Sequence, residues 1–367
     1  MSVNATTVSA GEALRVLEAG WAAQAAGGLT ASWMLHGRPG VGKTEVVQTL
    51  ARRIGADLFD LRLTTIEPQD LRGLPFFDHE RARTVWYRPE DLPDGDGPAI
   101  LFLDELTAAA PALQPTVYGL LQERRVGRHR LPDSVLIVAA GNRVEDGAIA
   151  YDMGTALSDR LIHVIVQASA EDWLKTYAVP AGIHPSVAAF IRTRPDLLET
   201  TEDSLRRGQM IACTPRSWTR VSRIMDTVPD RALRQVMVAG TVGAAPAAEF
   251  ALLADEIAAT VQVDAMLATP RRERAAMYPR TLHGLTALVY GLIGAATREN
   301  LSTAIEILAD LRGLGGQGYS GLPVSELASF GFELLIGRAL ERGWEEVFGQ
   351  SPDYAAYAAE RQAAGLP

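Results

Sequence analysis

One short segment, residues 37–44 with the sequence GRPGVGKT, constrains the fold of this chain more than any other. It fits the pattern G-x-x-x-x-G-K-[ST], and it lies between the apolar stretch WMLH and an amphipathic stretch that begins near Lys43. Glycines in such a segment let backbone N–H groups surround phosphate oxygens, and the N-terminus of the following helix adds positive partial charge. The sequence therefore predicts a strand, a phosphate-binding loop and a helix, in that order.

The residue types in this loop indicate how a nucleoside triphosphate and Mg²⁺ would bind. The Lys43 ammonium is expected to reach the β- and γ-phosphates, and the Thr44 hydroxyl to be a ligand of Mg²⁺. A glycine-rich turn that fits the pattern by chance is the alternative, and the strand before it and the helix after it argue against that alternative. The residues expected to contact the nucleotide are Gly37, Pro39, Gly40, Val41, Gly42, Lys43 and Thr44.

A second motif, residues 99–105 with the sequence AILFLDE, is an apolar run that ends in two carboxylates. A buried strand beside the phosphate loop would bring Asp104 to the Mg²⁺ ion, as its second protein ligand, and Glu105 to a water in line with the γ-phosphate. Glu105 is then the general base or the water-positioning group. A core strand followed by an acidic helix cap is the alternative, and such a combination is common by itself.

A third polar residue follows another apolar run. Residues 134–140 predict a strand, and Gly141 and Asn142 come directly after it. Ligands of open α/β sheets bind at the carboxyl ends of the strands, so Asn142 is a candidate to hold the attacking water or the γ-phosphate. An ordinary turn residue is the alternative, because Asn is frequent in turns.

Short apolar runs alternate with amphipathic helices in the first part of the chain, which is typical of a parallel sheet with helical crossovers. A capping box of Ser9 and Glu12 predicts a helix over Ala10–Ala25. Residues 58–63 alternate apolar and charged side chains, as a strand at the sheet edge would. After about residue 169 the strand signals vanish and helices follow. The predicted strands are residues 32–36, 58–63, 99–103, 134–140 and 161–166.

Composition excludes several classes of protein. The chain has 35 Lys and Arg against 44 Asp and Glu, a net charge of −9, which argues against non-specific binding to nucleic acid. Its single cysteine, Cys213, forms no intrachain disulfide. The N-terminus lacks signal-peptide features, and the longest apolar runs are too short to span a bilayer, so a cytoplasmic protein without a membrane span is expected. The six histidines show no partner pattern and are interpreted as structural.

Taken together, the phosphate loop, the Asp-Glu strand and the strand-ending Asn resemble AAA+ ATPases of the MoxR family, in the branch that includes magnesium chelatase subunits and McrB-like proteins. Residues 67–75 (EPQDLRGLP) and 153–161 (MGTALSDRL) are particularly similar to MoxR-type sequences. The resemblance implies an AAA+ core with a five-stranded parallel sheet at residues 1–168, a helical lid at 169–260 and a helical extension at 261–367. It also implies ATP and Mg²⁺ as cofactors.

The resemblance assigns two arginines. Arg160 matches the arginine finger that reaches the γ-phosphate of a neighbouring subunit, and a planar guanidinium suits the charge that develops there. Arg216, near the start of a helix, matches the sensor 2 arginine by which the lid contacts the γ-phosphate of its own subunit. For both, a surface arginine without such a role is the alternative.

Two further segments resemble parts of this family that line one face of the ring. Residues 70–88, which contain Phe76, Phe77, Trp86 and Tyr87, resemble the helix-2 insert, and residues 123–132 resemble the hairpin before sensor 1. Exposed aromatic side chains there could grip a polypeptide, and aromatic side chains that pack on one another are the alternative.

The function that the resemblance implies is ATP hydrolysis in a ring, expected to be hexameric, that remodels or activates a protein client. A partner with a von Willebrand factor A domain is also implied. One alternative is a McrB-like nucleic-acid-associated motor, which the acidic charge disfavours. Another is a nucleotide-switched scaffold with slow turnover, which has no need of a water-positioning carboxylate. GTP is less favoured than ATP, because the chain has no N-K-x-D segment.

Overall fold

The computed structural model describes residues 3–146, 157–316 and 318–363. Contacts between residues group the chain into two compact units. The first comprises the residues up to Ser169 together with Thr201–Met210 and Thr214–Arg216, and the second comprises Ala170–Thr200, Ile211–Cys213 and Ser217–Pro367. The three-part division with boundaries at residues 168 and 260 stays a prediction.

The first unit contains a parallel sheet of six strands and two small antiparallel hairpins. In chain order its strands are β1 Thr7–Val8, β2 Ser32–His36, β3 Asp57–Arg62, β4 Pro75–Asp78, β5 Arg83–Trp86, β6 Ala99–Asp104, β7 Arg125–Val126, β8 His129–Arg130, β9 Val135–Gly141 and β10 Leu161–Val166. The large sheet has the order β1-β10-β2-β9-β6-β3, while β4 pairs with β5 and β7 with β8. The β4–β5 hairpin lies in the segment that resembles the helix-2 insert, and the β7–β8 hairpin lies in the segment that resembles the hairpin before sensor 1.

Burial explains the positions of these strands. Every residue of β6 and β9 is buried, as their continuous apolar runs require for interior strands. In β3, Leu61 is buried and Asp60 and Arg62 are exposed, and this strand forms one edge of the sheet as its alternating pattern predicted. The predicted count of five strands is one short, because the two-residue β1 adds to the other edge by pairing with β10.

Helices cover both faces of the sheet, so the predicted α/β architecture is confirmed. They are α1 Ala10–Ala25, α2 Lys43–Ile54, α3 Pro68–Arg72 and α4 Gln114–Glu123, and Thr201–Arg206 adds a further short helix. On one face, α1 and α2 bury side chains such as Leu17 and Leu50 against Phe102 and Val138. On the other face, α4 packs against a cluster that includes Met34. The capping box of Ser9 and Glu12 is present, with Glu12 N donating to Ser9 Oγ at 3.2 Å.

The second unit is helical. Its longer helices are Pro185–Thr193, Arg231–Val242, Ala244–Thr260, Leu282–Ala295, Leu301–Gly313, Val324–Arg342 and Pro352–Ala363, and the helix Pro215–Thr227 continues into it from the first unit. Phe190, Trp218 and Phe250 form an aromatic cluster with ring centroids 5.1–5.8 Å apart. Burial raises the pKa of the Cys213 thiol to about 11. None of the described helices combines the length and the apolar character needed to span a bilayer.

Candidate active site

Three neighbouring interior strands, β2, β9 and β6, end side by side at the carboxyl end of the large sheet. The pairing sets His36 of β2 opposite Gly141 of β9, and Leu103 of β6 opposite Ala139 of β9. Because the strands are parallel, their carboxyl ends meet, which is where open α/β sheets bind ligands. The predicted site residues at or directly after these ends are Gly37, Asp104, Glu105 and Asn142.

The phosphate loop has a conformation that only glycine tolerates at several positions. Gly40 and Gly42 have φ values of +80° and +108°, where a side chain would be strained. A Cβ on Gly37 would lie 2.4 Å from the Val166 carbonyl oxygen, so the loop packs directly on the end of β10. Val41 is 4% exposed and anchors the loop in the core beneath α2, whereas Pro39 is exposed.

Lys43 is the first residue of α2, and its ammonium group lies against the loop. Its Nζ donates to the carbonyl oxygens of Gly37 at 2.6 Å and Arg38 at 3.0 Å, and to Asn142 Oδ1 at 3.1 Å. An ammonium has three protons to donate, so these contacts fix its position. The structure thereby brings the loop lysine and the strand-ending Asn142 into direct contact.

The charges around Lys43 are mixed. The pKa of Lys43 is lowered to about 8, chiefly by burial; Asp104 and Asp146 act in the opposite direction, and the positive charges of Arg216 and Arg143 add to the lowering. A phosphate in the loop would supply additional negative charge next to the ammonium and favour its protonated form. The Lys43 ammonium therefore favours an anionic ligand in the loop.

The two oxygens predicted to bind Mg²⁺ are neighbours. Thr44 Oγ1 lies 3.5 Å from Asp104 Oδ2, and the other carboxylate oxygen of Asp104 accepts from Glu105 N at 2.9 Å. A hydroxyl and a carboxylate are the hard oxygen donors that Mg²⁺ prefers, and this ion commonly takes only one or two protein ligands besides substrate phosphates. Among the described residues no group of three or more His, Cys, Asp or Glu forms a separate metal cage.

Glu105 is held from the side of the edge strand. Its backbone has a φ of +59°, an unusual conformation for a residue with a side chain. Thr64 Oγ1 donates to Glu105 Oε2, and Arg62 Nε lies 3.9 Å from Oε1. Neither Thr64 nor Arg62 was predicted as a site residue, although both lie at the carboxyl end of β3, and that position was the available signal.

A cluster of ion pairs around the buried Asp146 follows Asn142, and sequence reasoning did not predict it. Arg143 Nη2 lies 2.8 Å from Asp146 Oδ1, and the Asp146 side chain is completely buried. Arg38, a variable position of the phosphate loop, lies 3.7 Å from the same carboxylate and 2.8 Å from Glu202 on the helix Thr201–Arg206. Asp146 therefore ties the phosphate loop to the segment after β9.

The start of the helix Pro215–Thr227 lies against the phosphate loop. Arg216 N donates to the Gly40 carbonyl oxygen at 3.3 Å. A Cβ on Gly40 would meet Thr214 Oγ1 at 3.0 Å. The Arg216 side chain is exposed and its charge acts on Lys43. The predicted sensor arginine is thus placed beside the loop of its own chain.

Arg160 is placed at the opposite end of the sheet. It lies in a turn, closed by a hydrogen bond of 3.1 Å from Arg160 N to the Leu157 carbonyl, directly before β10, and its side chain is exposed. The carboxyl end of β10 is at Val166, against the phosphate loop. At about 3.3 Å per strand residue, the Arg160 backbone lies about 20 Å from that end. Residues 153–156 of the segment that resembles MoxR proteins lie outside the described residues.

Replacing Lys43 by alanine should weaken ATP binding by about 2–5 kcal/mol, roughly 30-fold or more in the dissociation constant, because phosphate loses a partly buried charged donor. The measurement is a calorimetric titration with ATP and Mg²⁺. Lys175→Ala is the matched control, since Lys175 is exposed in the second unit. Unchanged affinity in Lys43→Ala would contradict the phosphate-loop assignment.

A family model described as an AAA domain of the dynein-related subfamily matches residues 32–161. Chaperone MoxR1 of Mycobacterium tuberculosis is 28% identical over 46% of this chain and 45% of its own length. ATPase family gene 2 protein homolog B of Mus musculus is 36% identical over 28% of this chain and 12% of its own length. The chain therefore matches less than half of the length of either relative.

Structural comparison also matches two solved structures at low TM-score. A putative ATPase from Cytophaga hutchinsonii is 18% identical, with 59% of this chain and 74% of that chain covered and a TM-score of 0.36. The R170A variant of Thermotoga maritima RuvB is 14% identical, with 76% and 80% covered and a TM-score of 0.39. Likenesses this distant add nothing to the functional assignment.

Proposed function

We propose that this chain is an AAA+ protein of the MoxR type, and that it hydrolyses ATP in a ring and uses the energy to remodel a protein client. The observation that carries the proposal is the convergence of a phosphate loop, a Thr-Asp oxygen pair, a carboxylate and an amide at one sheet edge. The groups that bind the triphosphate and activate the attacking water thus meet at one place in a single chain.

In the proposed reaction the loop N–H groups and Lys43 bind the β- and γ-phosphates. Thr44 and Asp104 would hold Mg²⁺, which supplies positive charge to the phosphate oxygens. Asn142 orients the attacking water, and Glu105 accepts its proton as the new bond to phosphorus forms and the bond to the β-phosphate oxygen breaks. The products are ADP and phosphate.

The position of Arg160 supports a site shared between subunits. Its backbone lies about 20 Å along β10 from the phosphate loop of its own chain, which is farther than a side chain reaches. Arg160 therefore serves the active site of a neighbouring copy, in a head-to-tail contact that closes into a ring. We propose six subunits, as in the family that the sequence resembles.

The hairpin β4–β5 supports a protein client. Phe77 is 68% exposed, Tyr87 59% and Phe76 53%, and the rings of Phe76 and Tyr87 are 5.4 Å apart. Phe76 and Tyr87 thus pack on one another, and all three side chains still present apolar surface, of the kind that binds other proteins. The proposal of a partner with a von Willebrand factor A domain comes from the family resemblance alone.

The mass of Glu105→Gln in solution, with ATP and Mg²⁺ and without them, tests the proposal. We expect an ATP-dependent ring near six subunits, and turnover of ATP by the unmodified protein. Slow turnover with an ATP-dependent change of state would favour the nucleotide-switched scaffold. Turnover that requires added DNA would favour the McrB-like motor.

A further inference from the structure

Two histidines, one on β2 and one on β10, form a hydrogen-bonded link between these neighbouring strands. His36 Nε2 lies 2.8 Å from His163 Nδ1, and His163 Nε2 lies 2.9 Å from the carbonyl oxygen of Ser158. A carbonyl only accepts hydrogen bonds, so His163 Nε2 carries a proton. With that proton on Nε2, His163 Nδ1 accepts from His36 Nε2. Both hydrogen bonds are then donated in the direction from His36 to Ser158.

One end of this hydrogen-bonded link is attached to the phosphate loop. His36 is the last residue of β2, it is 1% exposed, and it directly precedes Gly37. Gly37 accepts from Lys43 and packs on Val166. The pKa of His36 is lowered to about 4, chiefly by burial and in addition by the positive charges nearby. His36 is therefore neutral at pH 7 and has one N–H to donate.

The other end of this hydrogen-bonded link is attached to the turn that carries Arg160. Ser158 lies between Leu157, which is 3% exposed in the core, and the exposed Arg160. The turn is thus held by an apolar anchor at Leu157, by the His163 hydrogen bond and by its own bond from Arg160 N to the Leu157 carbonyl. Of these, only the His163 bond leads to the phosphate loop.

We propose that His36 and His163 are positioning residues that hold the Arg160 turn in register with the phosphate loop of the same chain. The inference rests on the proposed function, in which Arg160 completes the active site of the neighbouring subunit. A positioning error of about 1 Å can lower a rate about 100-fold, so a hydrogen-bonded link of this kind matters for the neighbour's turnover. In this proposal the phosphate loop of the same chain binds the nucleotide, and the two histidines act on turnover through the Arg160 turn.

The first measurement compares variants of His163 in the full-length protein. His163→Phe removes both hydrogen bonds, and His163→Gln retains an acceptor and a donor. Ile162→Ala, on the opposite face of β10, controls for lost packing in that strand. We expect His163→Phe to lower kcat about 10- to 100-fold with ATP affinity unchanged, and His163→Gln to restore much of it. If His163→Phe does not fold, His163→Asn, whose shorter amide cannot span both partners, replaces it.

The second measurement mixes variants within one ring. Subunits of His163→Phe with intact Glu105 should recover activity when mixed with Glu105→Gln subunits, which supply an intact Arg160 turn. The same subunits should gain nothing when mixed with Arg160→Ala subunits, because no interface then has a correctly held arginine. A defect in the phosphate loop itself would give the reverse pattern.

Mixing Glu105→Gln with Arg160→Ala separates the two levels of inference. If that mixture fails to recover activity, the shared active site of the proposed function is wrong. If it recovers while His163→Phe has unchanged kcat, or is rescued by Arg160→Ala subunits, the positioning role is overturned. Loss of ATP affinity in His163→Phe would also overturn it.

Discussion

Glu105→Gln should lower kcat for ATP hydrolysis about 10²- to 10⁴-fold and leave ATP affinity within a few-fold, because an amide cannot accept the proton of the attacking water. The local structure should be retained, since the glutamine oxygen still accepts from Thr64 and the backbone conformation at this position is unchanged. Phosphate release at saturating ATP gives kcat, and titration calorimetry gives the affinity.

Glu123→Gln is the matched control for this substitution. Glu123 ends α4, is about half exposed and pairs with Arg125 on the surface. Its replacement should leave turnover and binding unchanged, because an exposed ion pair contributes about 1 kcal/mol or less. Normal turnover in Glu105→Gln would remove Glu105 from the reaction, and weak ATP binding would indicate that its role is structural.

Arg160→Ala should lower kcat roughly 10³-fold or more, about 4 kcal/mol in the barrier, if its guanidinium stabilises the transferred phosphoryl group of the neighbouring subunit. The affinity of each phosphate loop for ATP should change little, because the arginine is supplied from the other side of the interface. Arg53→Ala is the control, since Arg53 is likewise an exposed arginine and its partner is Glu18 on α1.

Mixed rings give this prediction its sharpest form. In an equal random mixture of Arg160→Ala and Glu105→Gln subunits, about a quarter of the head-to-tail interfaces combine an intact Glu105 with an intact Arg160. Activity near a quarter of the unmodified ring is therefore expected from two inactive proteins. No recovery in rings shown to be mixed would favour a surface arginine at Arg160.

Several elements could be predicted because their signals are local. The buried strands β6 and β9 are continuous apolar runs, since parallel strands covered on both faces need apolar side chains throughout. The capping box predicts the start of helix α1, and the glycines of the loop predict a backbone with positive φ values. These features depend on residues within about ten positions of one another.

Other elements could not be predicted because they depend on distant contacts. The strand β1 has only two residues, too few for a periodic signal, and it forms because β10 offers an unpaired edge. His36 and His163 are 127 positions apart, and their pairing requires β10 to lie beside β2. The sequence interpretation of scattered histidines as structural therefore overlooked a specific partnership.

The sequence by itself determined the chemistry available to this protein: a phosphate loop, two carboxylates after a buried strand, and an amide after another. Each follows from residue type and immediate neighbours. Only the tertiary structure decided how those groups are held, through Thr64 on Glu105, Asp146 between Arg38 and Arg143, and the placement of Arg160 at the far end of β10. The physical reason is that strand order sets which side chains meet, and strand order arises from packing of the whole sheet.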